Sequence, residues 1–301
     1  MTSNLVVSLF PGQGAHAVDM LDGVRHAPAY AERYEQVSCA LDEDITRSLS
    51  KYQDKFLNRN EVSSLLTVLV GSLSYDLWRN HEAPPAYIAG YSVGQWTGLY
   101  AANAISFTTL VDIVKTRALI MNECMKETPG GMIGVIGLKE GVIQNAVMQL
   151  QADGYVVEIS NFNCLGQYSL AAAANAIQPT LVALQALEPR KVVELPITGA
   201  WHSSLLHPAK EEFAKYLETV SLASPQMPVI DNVTGQLLPA EMAELKRQLV
   251  KQISSPVRWQ QGIETLIEQG CERFVEIGFG KLLTKFGFFI DRRRHHESFY
   301  N

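Results

Sequence analysis

A serine flanked by two glycines is the strongest chemical signal in this sequence. The run Gly90-Tyr91-Ser92-Val93-Gly94 matches the G-x-S-x-G pattern of a nucleophile elbow. The glycines let a strand turn so sharply into a helix that the serine hydroxyl is held exposed. Free N–H groups at the start of that helix can then stabilise an oxyanion beside Ser92. The pattern favours a nucleophilic serine; a glycine-rich turn with a solvated serine is the alternative.

A serine nucleophile needs a base, and the seven histidines of the chain are the candidates. His202 directly follows Trp201. The order of elements described below places this position where the chain leaves a small inserted domain and re-enters the large domain. A structural histidine with satisfied hydrogen bonds is the alternative at this position. The usual hydrolase order of serine, acid and histidine is not met, because Asp231 follows His202.

Apolar runs and turn residues predict the elements that position these groups. A strand at 5–10 stops at Pro11-Gly12-Gln13-Gly14, and a second short strand at 86–89 leads into the elbow. Apolar residues at helical spacing predict a buried helix over 61–78, and residues 95–102 can continue the elbow as a helix. Ser106 is a plausible N-cap for a helix to about 125, which contains Arg117.

The pattern changes after residue 126. Strands are predicted at 130–137, 156–159, 168–172 and 192–195, with helices at 139–151 and 178–187. This β-α-β-β-α-β order is typical of the ferredoxin-like unit. We therefore expect a small domain at 127–198, inserted into a larger α/β domain formed by 1–126 and 199–301.

Four ordered motifs together suggest a family. They are Phe10 to Gly14, the elbow with Arg117 twenty-five residues after Ser92, the Asn161-x-Asn163 and Gly166-Gln167 pair, and Gly199 to Ser203. Over nearly its full length the sequence resembles the malonyl-CoA:acyl carrier protein transacylases. The resemblance implies an α/β-hydrolase-like large domain with a parallel sheet and a ferredoxin-like insert, in agreement with the boundaries above.

The resemblance also implies roles for individual residues. Ser92 would attack the malonyl thioester and carry the acyl group as an ester, with His202 as general base and then acid. The backbone N–H groups of Gln13 and Val93 would form the oxyanion hole. Such enzymes use a Ser-His dyad whose imidazole is oriented by a main-chain carbonyl near Gln252, which removes the need for a third acid.

Arg117 is the expected specificity residue, because a planar guanidinium can hold the free malonyl carboxylate through two parallel hydrogen bonds. An exposed helix arginine with a surface pair is the alternative that residue type alone favours. The sequence departs from the family at Tyr91 (usually His), Gln95 (often Glu), Trp201 (usually Phe) and Phe279, which interrupts a common Gly-Pro-Gly. We expect Tyr91 and Trp201 to flank the acyl pocket and to influence which α-substituent fits.

The function expected from these residues is transfer of malonyl from coenzyme A to the phosphopantetheine thiol of an acyl carrier protein, for fatty acid or polyketide synthesis. The unusual pocket residues slightly favour a stand-alone polyketide acyltransferase over an enzyme of fatty acid synthesis. An acyl hydrolase that clears carrier proteins, and an inactive docking module, are the alternatives. No metal and no cofactor are expected, since coenzyme A and phosphopantetheine act as substrate and acceptor.

Carrier proteins of this type are usually acidic, and basic residues near the end of the chain offer them a surface: Lys281, Lys285, Arg292, Arg293 and Arg294.

Composition excludes several other classes. The chain has 301 residues, of which 47% are hydrophobic. Its formal net charge of -6 does not indicate electrostatic binding to nucleic acid or to an anionic membrane. No apolar run approaches a membrane span. The four cysteines are scattered, without zinc or redox spacing, and no export signal is apparent. We expect a cytoplasmic protein, and a monomer.

Overall fold

The computed structural model describes residues 5–14, 16–197 and 199–300. Its strands are β1 (Leu5–Phe10), β2 (Tyr87–Gly90), β3 (Gly130–Ile136), β4 (Val157–Cys164), β5 (Gln167–Ala173), β6 (Lys191–Glu194), β7 (Val229–Ile230), β8 (Cys271–Ile277) and β9 (His295–Phe299). Its helices are α1 (Tyr30–Leu41), α2 (Ile45–Tyr52), α3 (Asp54–Leu57), α4 (Asn60–Arg79), α5 (Gly94–Ala101), α6 (Phe107–Glu127), α7 (Glu140–Ala152), α8 (Ile177–Gln185), α9 (His207–Thr219), α10 (Met242–Lys251), α11 (Trp259–Glu268) and α12 (Leu282–Ile290).

Sheet A is a five-stranded parallel sheet with the order β7-β2-β1-β8-β9. Strands β1 and β2 are short, mainly apolar runs, as expected for parallel strands that helices cover on both faces. Helix α4 is buried on nearly every side and packs against α5 and α6, as its dense apolar pattern predicts. Ser106 caps α6 by accepting a hydrogen bond from the Thr109 N–H at 3.1 Å, which confirms the predicted start of that helix.

Sheet B is antiparallel and has the order β4-β5-β3-β6, with α7 and α8 as its helices. This is the strand order of the ferredoxin-like unit, and all four strands come from the segment 130–194. The chain is thus an α/β protein with separate parallel and antiparallel sheets. The division into domains at 126/127 and 198/199 stays a prediction, and Thr198 lies outside the described residues.

Backbone hydrogen bonds join sheet B to the rest of the molecule. The Val257 N–H donates to the Ser160 carbonyl at 2.8 Å, and the Phe162 N–H donates to the Val257 carbonyl at 2.9 Å. The Glu158 carboxylate accepts from the Ser204 N–H at 3.2 Å and from the Ser204 hydroxyl. Sheet B is therefore bonded to the segments that follow His202 and Gln252.

The carboxyl ends of three neighbouring strands meet at one edge of sheet A. Strand β1 leads to Gln13, β2 to Ser92 and β7 to Asn232. In open parallel sheets this edge is where ligands bind. Within the part of the chain that the structure describes, no helix is both long and apolar enough to span a membrane.

Candidate active site

Ser92 lies in the sharp turn between β2 and α5, with a φ of 52°, in the left-handed region that serine rarely adopts. A Cβ on Gly90 would lie 2.1 Å from the Gly94 carbonyl oxygen, and one on Gly94 would lie 2.3 Å from the Phe10 carbonyl oxygen. Only glycine fits at either position, since both contacts are with backbone. The predicted strand, turn and helix of the nucleophile elbow are confirmed.

Asn232 holds the elbow from the neighbouring strand end, and sequence reasoning missed it. Its Oδ1 accepts from the Ser92 N–H at 2.8 Å, and its Nδ2 donates to the Gly90 carbonyl at 2.6 Å. The side chain is 3% exposed. The available signal was the polar pair Asp231-Asn232 directly after the apolar pair Val229-Ile230, which becomes informative only when β7 is known to lie beside β2.

Ser92 and His202 are paired as expected. The Ser92 Oγ and the His202 Nε2 are 2.7 Å apart, and the His202 Nδ1 lies 2.8 Å from the main-chain oxygen of Gln252. Because a carbonyl can only accept, Nδ1 carries the proton and the Nε2 lone pair faces the serine hydroxyl. Burial, with a smaller contribution from the Arg117 charge, lowers the pKa of His202 to about 3, against the effect of the Gln252 hydrogen bond. The imidazole is therefore neutral at pH 7 and free to accept a proton.

The Gln252 side chain connects the remaining polar groups of the site. Its Nε2 donates to the Ser92 carbonyl at 2.9 Å and to the Gln95 Oε1 at 2.7 Å. Its Oε1 accepts from the Arg117 Nη2 at 3.2 Å. One buried residue thus contacts the elbow, the imidazole and the guanidinium.

Arg117 projects from α6 into this network and is 2% exposed. Its Nε has no hydrogen-bond partner, and no carboxylate lies within salt-bridge distance of it, among residues 5–14, 16–197 and 199–300. Burial lowers its pKa to about 10, so the group remains charged at pH 7. A buried cation without a counterion is costly, and a carboxylate supplied by a ligand would relieve that cost.

The turn that contains Gln13 lies against the elbow. A Cβ on Gly12 would be 2.6 Å from the Tyr91 carbonyl oxygen and 3.5 Å from the Ser92 Cβ. The Gln13 side chain is held by the Ser63 hydroxyl, to which its Nε2 donates at 2.7 Å. Within the described ranges, the backbone N–H groups of Gln13 and Val93 donate to no protein acceptor, so both are available to a ligand.

Tyr91 and Trp201 pack in different clusters. The Tyr91 hydroxyl donates to the Asn163 Oδ1 at 2.6 Å, and its ring meets that of Trp259 edge-on, with centroids 5.5 Å apart. The Trp201 ring lies against the backbone of Gly199, where a Cβ would be 2.2 Å from it. The structure thus brings together four of the predicted site residues: Ser92, His202, Arg117 and Gln252. The position of Tyr91 and Trp201 beside an acyl pocket stays a prediction.

Comparison with known proteins identifies relatives over almost the whole chain. The acyl transferase domain model matches residues 9–287. The malonyl CoA-acyl carrier protein transacylase of Escherichia coli strain K12 is 31% identical over 278 residues, which cover 92% of this chain and 89% of that protein. The polyketide biosynthesis protein ThaF of Burkholderia thailandensis is 34% identical over 277 residues, which are 92% of this chain but 23% of that protein.

A solved structure shows the same fold. A malonyl-transacylase in complex with its type II PKS acyl-carrier protein superposes with a TM-score of 0.90 and 27% identity, covering 98% of this chain and 94% of that chain. The parallel sheet and the separate antiparallel sheet match the fold of that structure. The chain therefore belongs to the acyl transferase domain family and, within it, to the malonyl-CoA:acyl carrier protein transacylases.

Proposed function

We propose that this chain transfers a malonyl group from coenzyme A to the phosphopantetheine thiol of an acyl carrier protein, through an ester on Ser92. The observation that carries the proposal is the buried, uncompensated guanidinium of Arg117 beside the Ser92–His202 pair, with Gln252 as their common partner. A hydroxyl, a neutral base and a fixed cation in one site suit an acyl group that ends in a carboxylate.

In the first half-reaction, the His202 Nε2 takes the hydroxyl proton while the Ser92 Oγ attacks the thioester carbonyl. The negative charge that develops on the carbonyl oxygen is stabilised by the N–H groups of Gln13 and Val93. The C–S bond then breaks, and the imidazolium returns its proton to the departing coenzyme A thiolate. The product is malonyl-Ser92 with a neutral His202.

In the second half-reaction, the phosphopantetheine thiol gives its proton to His202 and attacks the ester. The new C–S bond forms, the C–O bond to Ser92 breaks, and the serine regains its proton from the imidazolium. The main-chain carbonyl of Gln252 keeps the ring oriented in both halves.

Arg117 would select dicarboxylic acyl groups, because a simple acyl chain leaves its charge buried and unpaired. Tyr91 and Trp201 would contribute the finer choice among substituted malonyl units, for which pocket shape supplies only about 1–3 kcal/mol. These steps need only groups of the chain itself, so we propose that no metal or cofactor is required. The substrates and the free thiols of Cys39, Cys124, Cys164 and Cys271 suit a reducing cytoplasm.

Intact-mass analysis after exposure to a panel of acyl-CoA thioesters tests the proposal. We expect the mass of one malonyl group on the wild-type chain and none on Ser92→Ala. Arg117→Ala should lose about 100- to 1,000-fold in malonyl kcat/KM, as expected for a buried charge pair worth about 3–4 kcal/mol, and retain or gain acetyl transfer. Undiminished malonyl loading of Ser92→Ala would contradict the mechanism.

The lifetime of the acyl-enzyme separates transfer from hydrolysis. We expect malonyl-Ser92 to persist in buffer and to disappear when a holo carrier protein is added. Rapid loss of the ester in buffer alone would instead identify an acyl hydrolase.

A further inference from the structure

The turn that contains Gln13 is anchored to the rest of the molecule through the Gln13 side chain. Its Nε2 donates to the Ser63 hydroxyl at 2.7 Å, to the Asn60 Oδ1 at 2.9 Å and to the Asn60 carbonyl at 3.2 Å. Within the described ranges, no backbone–backbone hydrogen bond restrains Gly12 or Gln13. The placement of the Gln13 N–H therefore depends on the acceptors that the start of α4 offers to this amide.

Asn60, the first residue of α4, is 4% exposed and uses both ends of its amide. While its Oδ1 accepts from Gln13, its Nδ2 donates to the Asn122 Oδ1 at 2.9 Å and to the Ala118 carbonyl at 3.3 Å. Both of these acceptors belong to α6, and Ala118 directly follows Arg117. One buried side chain thus joins the turn of Gln13 to the part of α6 that carries Arg117.

A carboxylate fixes the direction of these hydrogen bonds. The Asn122 Nδ2 donates to the Glu61 carboxylate at 2.8 Å, and Glu61 is ion-paired with Arg59 at 2.8 Å. Burial raises the pKa of Glu61, but hydrogen bonds, that from Arg59 foremost, outweigh burial and hold this pKa below its usual value. Because an ionised carboxylate can only accept, Asn122 turns its Oδ1 toward Asn60. Asn60 in turn presents Nδ2 to α6 and Oδ1 to Gln13.

We infer that Asn60 is a positioning residue that holds the oxyanion-hole turn at a set distance from Arg117 and thereby matches the site to a malonyl group. The inference rests on the proposed function, in which the Gln13 N–H binds the thioester oxygen and Arg117 binds the free carboxylate. A single methylene separates these two groups in malonyl. A fixed spacing between their binding partners accommodates malonyl and penalises succinyl, whose carboxylate lies one carbon farther away.

The kinetics of Asn60→Leu test the inference, because leucine keeps the branched shape of asparagine and makes none of these hydrogen bonds. We expect kcat with malonyl-CoA to fall about 10- to 100-fold and the KM for malonyl-CoA to change less than about threefold, since the oxyanion hole acts in the transition state. The ratio of kcat/KM for malonyl-CoA to that for succinyl-CoA should fall about fivefold or more, because a displaced turn no longer enforces one spacing. An unchanged ratio, or a kcat within about twofold of wild type, overturns the inference.

Gln13→Met approaches the same contact from the other side, because methionine keeps the length of glutamine and has no N–H to donate. We expect a similar loss of kcat, and the double variant Gln13→Met/Asn60→Leu should be no slower than the slower single variant. Losses of kcat that multiply would show two independent effects and overturn the inference. If Asn60→Leu does not fold, a kcat of Gln13→Met within about twofold of wild type overturns the inference on its own.

Tyr75→Phe is the matched control for lost stability. It removes a buried hydrogen bond of the same helix, from the Tyr75 hydroxyl to the Ala101 carbonyl at 3.3 Å, about 22 Å farther along α4. Its kcat and its malonyl-to-succinyl ratio should stay within about twofold of wild type. An equal loss in this control would show that any weakening of α4 impairs the site, and would overturn the inference.

The wild-type chain separates failure of this inference from failure of the proposed function. Absence of malonyl-Ser92 on the wild type after exposure to malonyl-CoA would overturn the proposed function. Equally fast formation of malonyl-Ser92 on the wild type and on Asn60→Leu would overturn the role of Asn60 alone.

Discussion

Ser92 is held in a backbone conformation that costs a non-glycine residue about 1–3 kcal/mol, and its neighbours supply the restraint. Asn232 bonds to the Gly90 carbonyl and to the Ser92 N–H, and the Gln252 amide bonds to the Ser92 carbonyl. The hydroxyl is thereby fixed 2.7 Å from the imidazole before any substrate binds. Such prior positioning is what makes a nucleophile effective, because a misplacement of about 1 Å can cost 100-fold in rate.

We predict that Asn232→Leu lowers kcat by about 100-fold and changes the KM for malonyl-CoA less than threefold, because the hydroxyl is displaced while Arg117 still binds the carboxylate. Asn232→Asp keeps the acceptor for the Ser92 N–H and loses the donor to Gly90, so its kcat should be intermediate. Steady-state kinetics and the rate of malonyl-Ser92 formation measure both effects. A kcat of Asn232→Leu within twofold of wild type would show that the elbow does not need this amide.

At the scale of elements, the site depends on how closely α5 approaches β1. Gly94 begins α5 and lies against the carbonyls of Phe10, the last residue of β1, and of Pro11, so this contact fixes where the helix starts relative to the sheet. The same approach places the N-terminus of α5 beside Ser92 and Val93. The φ of Gly94 is not positive, so backbone conformation does not explain the glycine. Close backbone packing does.

Gly94→Ala should destabilise the fold by about 3 kcal/mol or more, because its Cβ would meet the Phe10 and Pro11 carbonyl oxygens at 2.3 and 2.6 Å. Gly141→Ala in α7 is the matched control, since a Cβ there meets nothing within 4 Å. That exchange should stabilise by about 0.4–1 kcal/mol through higher helix propensity and a less flexible unfolded chain. Urea unfolding of both variants gives the two free energies; equal values would refute the close-packing explanation.

For the molecule as a whole, local pattern predicted the elements that are strongly periodic or bounded by glycine and proline, among them β1, α4, α6 and the strands of sheet B. It did not predict β7 or β8, although β8 lies beside β1 at the centre of sheet A. Strand order is set by long-range pairing, which neighbouring residues do not encode. For the same reason Ser92, His202 and Arg117 were recognisable from motifs, whereas Asn232 was not.

The neutral, buried His202 affects folding stability as well as chemistry. Its pKa is about 3 in the folded protein and about 6.5 when unfolded, so below pH 6.5 the unfolded chain binds a proton that the folded chain does not. The contribution of His202 to the free energy of unfolding is therefore fully present above about pH 6.5. Below that pH it falls by up to about 1.4 kcal/mol per pH unit.

When the pH is lowered from 7.5 to 5, the free energy of unfolding should decrease in both proteins. We predict that the decrease is about 2 kcal/mol smaller in His202→Asn than in wild type, because the variant has no imidazole to protonate. Asparagine is chosen because the position has a φ of 61°, which asparagine tolerates. Urea unfolding at the two pH values measures the difference. Identical pH dependence in the two proteins would show that the imidazole is not held neutral by the fold.

The carbonyl that orients His202 belongs to Gln252, and β8, the partner of β1, begins only at Cys271. During synthesis, a nascent chain that has reached residue 240 already holds Ser92 and His202 but has neither of these later parts. We therefore expect a chain that ends at residue 240 to form no malonyl-Ser92, because the imidazole lacks the carbonyl that orients it.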